Sequence, residues 1–90
     1  MSAVDHRQVL DGLLAFYRET YPDRASEIHA STNPVRELFV DSFGIVETVV
    51  FVADSYGVDL FTVEFPLEAL DTIESLAHLV AQVAASGTRP

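Results

Sequence analysis

The sequence predicts an all-α fold: a single small bundle of three substantial helices and one short one, built from 90 residues. Two observations carry this. Apolar residues recur at spacings of three and four over three separate stretches, and alternation by two is nowhere sustained. The prolines Pro22, Pro34, Pro66 and Pro90 all fall outside those stretches.

Residues 4–19 form the first helix. Val9, Leu10, Leu13, Leu14, Phe16 and Tyr17 cover one side of it. Ser2 or Asp5 caps the start, and Pro22 forbids continuation. Residues 21–41 read as loop, because Pro22, Asp23, Ser26, Ser31, Thr32, Asn33 and Pro34 break any regular pattern. Ile28 and Leu38 are expected to pin this loop to the core. An unstructured connection of that length is uncommon in a small domain and usually carries function.

Residues 42–56 set propensity against periodicity. Ile45, Val46, Val49, Val50 and Val52 are β-branched and favour strand. Yet Ile45, Thr48, Val49, Val52 and Tyr56 form one helical stripe, and Phe43, Val46, Glu47, Val50 and Asp54 form a second beside it. The apolar run from Val49 to Val52 defeats alternation. The segment is therefore assigned as the second helix, with Asp41 or Ser42 as N-cap and Gly57 as stop. Residues 58–70, broken by Pro66, leave room for a turn at Thr62–Phe65 or at Leu67–Leu70. The last helix opens on Asp71-Thr72-Ile73-Glu74, an expected capping box with the acid three residues on. Ile73, Leu76, Ala77, Leu79, Val80 and Val83 follow at helical spacing. The domain core spans about residues 4–84, with 85–90 as a flexible tail.

Composition narrows the function classes. The net charge is −9, from 14 acids and five bases, all arginine. Between Arg36 and Arg89 there is no base, while Asp41, Glu47, Asp54, Asp59, Glu64, Glu68, Asp71 and Glu74 all fall there. Such a surface repels nucleic acid and anionic lipid and steers toward basic protein patches. With no cysteine there is no disulfide, zinc-thiolate site or thiol nucleophile. No signal segment or membrane span is legible, so the expected location is cytoplasmic.

The segment Leu38-Phe39-Val40-Asp41-Ser42-Phe43-Gly44-Ile45-Val46-Glu47 holds the chemistry. It sets a serine in the first turn of a helix directly after the long loop. Unpaired N–H groups and the helix dipole favour a phosphate there. Phe43, Val46 and Val50 are apolar groups expected to stay partly outside the core, as on a docking surface. Core packing is the competing reading of Val46 and Val50, and a plain N-cap that of Ser42. Thr48 is expected to bond a carbonyl one turn back.

Asp41-Ser42-Phe43, with Gly44-Ile45-Val46-Glu47, the helix exit Ser55-Tyr56-Gly57-Val58-Asp59 and the start Asp71-Thr72-Ile73, resembles the acyl and peptidyl carrier proteins over roughly residues 38–83. Glu64-Phe65 and Asp71-Thr72 are similar to features of the D-alanyl carrier proteins; the lysine-free composition suits a high-GC bacterial genome, where free-standing carriers that this chain resembles serve specialised metabolism. The resemblance implies a four-helix bundle of the acyl carrier protein type. It implies a monomer that catalyses nothing itself and bears 4′-phosphopantetheine, taken from coenzyme A, on Ser42. Asp41 would help a phosphopantetheinyl transferase hold Mg²⁺. Phe43, Val46, Glu47, Val50 and Asp54 would face partners: that transferase, an adenylating or acyltransferring loading enzyme, and a downstream synthase or transferase.

Other readings remain beside it. A hydrolase would use Ser42 with His6, His29 or His78, but Val40 stands where a nucleophile elbow needs glycine. Glu64, Glu68 and Asp71 match no Ca²⁺-loop pattern, and no metal site is expected. The rival from another class is an unmodified adaptor that docks a partner through the second helix.

Overall fold

The computed structural model describes residues 4–38 and 40–86; residues 1–3, Phe39 and residues 87–90 lie outside the described residues, and with them the Ser2 cap candidate and most of the expected tail. In order, the elements are α1 (His6–Thr20), a 3-10 turn (Pro22–Glu27), α2 (Pro34–Glu37), α3 (Ser42–Tyr56), a 3-10 turn (Leu67–Leu70) and α4 (Ile73–Ser86). The described residues are all helix and loop. The radius of gyration, 12.5 Å, is close to the roughly 12 Å of a compact chain of this length.

The helix starts show why the chain folds at these points. Asp5 caps α1 in a capping box: its carboxylate accepts the Gln8 N–H at 2.8 Å, and Gln8 Oε1 accepts the Asp5 N–H at 3.2 Å. Asn33 caps α2, and Pro34 fills its first position, where the missing N–H costs nothing. Asp41, not Ser42, caps α3: its Oδ1 accepts the Gly44 N–H at 3.0 Å. Gly57 ends α3 at φ 69°, the left-handed conformation that a side chain disfavours.

Three expectations need correction. The 21–41 segment is not featureless, since Pro22 and Pro34 each open a short helical turn instead of only breaking one. The box at the head of α4 is Thr72 with Ser75, not Asp71 with Glu74. Thr72 Oγ1 accepts the Ser75 N–H and Ser75 Oγ accepts the Thr72 N–H, both at 3.0 Å. Asp71 closes the preceding 3-10 turn with helical φ −65° and ψ −39°, so it lacks the extended backbone of an N-cap. Finally, Ala85 and Ser86 belong to α4 and not to a tail. Of the two possible turns after α3, Leu67–Leu70 forms.

The core is where the periodicity placed it. Val9, Leu13 and Tyr17 of α1, Val49 and Val52 of α3, and Ile73, Leu76, Ala77, Leu79 and Val80 of α4 are buried. Ile28 and Leu38 are buried too and fasten the long loop. That loop also serves α4: the Ala30 and Thr32 carbonyls accept the Glu74 and Ile73 N–H groups at 2.8 and 3.0 Å, pairing donors that every helix start leaves open. Arg18 donates to the Ile28 carbonyl at 2.7 Å and Arg24 to the Glu37 carbonyl at 3.1 Å, tying the loop down from two sides.

Between α1 and α4 the backbones run in extensive contact. Contact with α3 comes through larger side chains. Phe16 stacks on Phe51 with centroids 4.6 Å apart. Tyr17 reaches Thr48, and the Tyr56 hydroxyl comes to rest over Gly12, where any Cβ would collide with it.

Candidate functional site

The long loop delivers the chain to the head of α3 with Val40 buried and Asp41, Ser42 and Phe43 exposed. Three contacts hold this corner. Gly44 is buried so tightly that a Cβ there would lie 2.7 Å from Val40 Cγ1 and 2.9 Å from Tyr21 Oη. The Thr48 hydroxyl donates to the Gly44 carbonyl at 2.9 Å, one turn back as the sequence suggested. Tyr17 Oη lies 2.9 Å from Thr48 Oγ1. Thr48 has one proton and gives it to Gly44, so Tyr17 is the donor in that pair. A buried chain of two hydrogen bonds therefore fixes the first turn of α3 to α1. Burial raises the Tyr17 phenol above its usual pKa, against the opposing effect of the Thr48 bond.

On this fixed corner, Ser42 is the first residue of α3, and its side chain stands in solvent. Because Asp41 performs the capping, the Ser42 hydroxyl is left without a protein hydrogen bond among the described residues. The plain N-cap reading of Ser42 is therefore not what the chain does. Asp41 commits one carboxylate oxygen to the cap. Asp41 and Glu47 both lie close enough to Tyr21 to push its phenol pKa up, after the larger effect of burial. Negative charge is thus gathered around the serine's turn.

The outer face of α3 is apolar. Phe43 is 69% exposed, Val46 43% and Val50 50%, which decides against core packing for the last two. Glu47 is half-buried and Asp54 exposed on the same helix. Ile45 departs from expectation. It belongs by period to the buried stripe but is 43% exposed, and it lines a cavity. This cavity, about 190 Å³, is lined by Ile45 and Val49 of α3 with Tyr17, Leu60, Phe61 and Leu76, among others. It exceeds the roughly 150 Å³ apolar cavity that suffices to bind benzene. Sequence reasoning missed it, since part of its wall comes from loop residues such as Leu60, Phe61 and Phe65 that follow no period.

Two of the histidines that a hydrolase could use are engaged with each other. His6 and His78 stack on each other with centroids 3.7 Å apart, and none of the three histidines hydrogen-bonds Ser42 among the described residues. Nor do Glu64, Glu68 and Asp71 gather into a ligand set; among the described residues that grouping falls to His6, Glu74 and His78.

Fold and site together define a small all-helical domain that presents a free serine hydroxyl at a helix head, beside an exposed apolar and acidic face. No family model matches the chain, and no curated protein or solved structure is significantly similar to it.

Proposed function

We propose that the protein is a free-standing acyl or aminoacyl carrier of the acyl carrier protein type, with a 4′-phosphopantetheine arm esterified to Ser42. The observation that carries this reading is the freedom of the Ser42 hydroxyl: exposed, outside the cap, and held at the head of a long helix by a rigid corner. Because Asp41 makes the capping bond, that hydroxyl is left available for modification.

In the reaction, Ser42 Oγ attacks the phosphorus of coenzyme A that bears the pantetheine. The P–O bond of the pyrophosphate breaks, adenosine 3′,5′-bisphosphate leaves, and the serine proton passes to a base of the partner transferase. The free oxygen of Asp41 is available to the transferase's Mg²⁺. When bound, the arm supplies a thiol that holds cargo as a thioester. The tether then turns each later encounter into a high local concentration. Phe43, Val46 and Val50 offer apolar contact, and Glu47 and Asp54 meet basic residues of partners, giving contacts weak and salt-sensitive enough for a shuttle to leave. Specialised metabolism of the polyketide or nonribosomal-peptide kind, in the cytoplasm, is the setting that suits such a carrier.

Intact-mass measurement tests this. With coenzyme A, Mg²⁺ and a broad-specificity phosphopantetheinyl transferase, the wild type gains one phosphopantetheine and Ser42→Ala gains none. A wild-type mass that stays unchanged, beside a reference carrier modified in the same tube, sinks the reading and leaves the unmodified adaptor that docks through α3.

A further inference from the structure

We propose that His6, Glu74 and His78 form a binding site for a divalent transition-metal ion, Zn²⁺ being the ion whose preferences they fit. His6 is the first residue of α1, and Glu74 and His78 lie one turn apart on α4. The spacing i, i+4 puts the last two side chains on one face of their helix, and the tight seating of α1 on α4 brings His6 beside them. One donor atom from each of the three lies within 4.8 Å of the others. His6 Nε2 is 4.0 Å from Glu74 Oε2, and the two imidazole rings stack at 3.7 Å with 12° between their planes.

The second observation is an orphan. His6 Nε2 is shut off from solvent and has no hydrogen-bond partner. A buried ring nitrogen in that state has lost water and gained nothing in return. A metal ion between the three side chains gives it a partner. Two imidazoles and a carboxylate are a recognised zinc donor set, and three protein ligands leave a fourth position open for water or another ligand. Imidazole nitrogen also suits Ni²⁺ and Cu²⁺, so selectivity among these ions is a matter of geometry.

The trio must close slightly to bind. Tetrahedral Zn²⁺ at about 2.1 Å from each donor asks for roughly 3.4 Å between donors. Imidazole lone pairs lie in the ring planes, so the stacked rings must tilt for both to aim at one point. Glu74 and His78 are exposed and have room to do so. The site draws on the α1–α4 seam and uses no residue of α3, so it stands apart from the chemistry proposed for Ser42.

Calorimetric titration of untagged, metal-stripped protein with ZnCl₂ near neutral pH tests the proposal. Co²⁺ absorption serves as a geometric probe, and circular dichroism confirms helicity in every sample. The expected result is one Zn²⁺ per chain at micromolar affinity, with an intense visible Co²⁺ spectrum typical of tetrahedral coordination. His78→Ala and Glu74→Gln, both at exposed positions that leave the core intact, should each weaken binding by at least about tenfold. Absence of binding at submillimolar Zn²⁺ overturns the proposal. So does equal affinity in wild type and both variants, which would place the ion among unrelated surface carboxylates.

Discussion

Helices α1 and α3 have the same length, 15 residues each, yet they relate to solvent in opposite ways. α1 buries Val9, Leu13 and Tyr17 and turns Asp11, Arg18 and Glu19 outward. That is the pattern of a helix whose apolar stripe is fully spent on its own fold. α3 buries Gly44, Thr48, Val49 and Val52, and turns Phe43, Val46 and Val50 outward as well. Folding alone gives no reason to keep a phenylalanine and two valines in water around a free serine. The contrast separates a helix that builds the domain from a helix that the domain displays.

The largest effect that sharpens this contrast is on stability. Leu13 is fully buried, and Leu13→Ala should cost about 2–5 kcal/mol in urea unfolding. Val50→Ala, at a half-exposed position, should stay within about 0.5 kcal/mol. Comparable losses at the two positions would erase the distinction between the helices.

Gly44→Ala comes next. The new methyl meets Val40 and Tyr21, an overpacking that costs roughly 1–3 kcal/mol, while the better helix propensity of alanine returns up to about 1 kcal/mol. A net loss near 1 kcal/mol in thermal or chemical unfolding is expected, together with slower modification of Ser42 as its turn is displaced. A stabilised variant would show that the corner is looser than the structure describes.

Glu47→Arg should leave the fold intact and slow modification of Ser42 several-fold at low salt, since exposed charge pairs are worth roughly 0.2–1 kcal/mol each. The difference should shrink as ionic strength rises. Unchanged kinetics at low salt would argue against acidic docking by α3.

The smallest effect lies outside the neutral range. Tyr17, Tyr21 and Tyr56 all have phenol pKa values raised chiefly by burial. The folded chain thus holds these protons longer than the unfolded chain does. Their contribution to stability is fully present below about pH 10, the unfolded value, and is lost as pH rises through the folded values. Stability should be flat from neutral pH up to that point and then fall. For Tyr17→Phe the alkaline fall should be shallower; an identical fall would assign it to other groups.

Much of the candidate site is legible in the sequence. Helical spacing through a β-branched run identified α3, and Asp41-Ser42-Phe43 marked its head. The identity of the capping residue was not legible, because Asp41 and Ser42 are both good N-caps and only backbone geometry chooses between them. The same ambiguity misassigned the box before α4, where Asp71 proved to belong to the preceding turn. Ile45 fitted the buried period, yet period reports a direction and not whether anything lies there to cover it. The His6–Glu74–His78 trio was half visible as an i, i+4 pair; nothing in the order of residues announces that His6 joins it.

By itself, then, the order of amino acids determined the helical class, the approximate positions of the three long helices, most of the core residues they contribute and the acidity of the chain. These follow from local spacing and charge, which need no partner to be read. The tertiary structure alone decided that the Ser42 hydroxyl is free, that a cavity opens beside Ile45, and that two histidines meet across α1 and α4. Each of these depends on which distant segments approach and how closely, and such proximity is a property of packing, not of sequence neighbourhood.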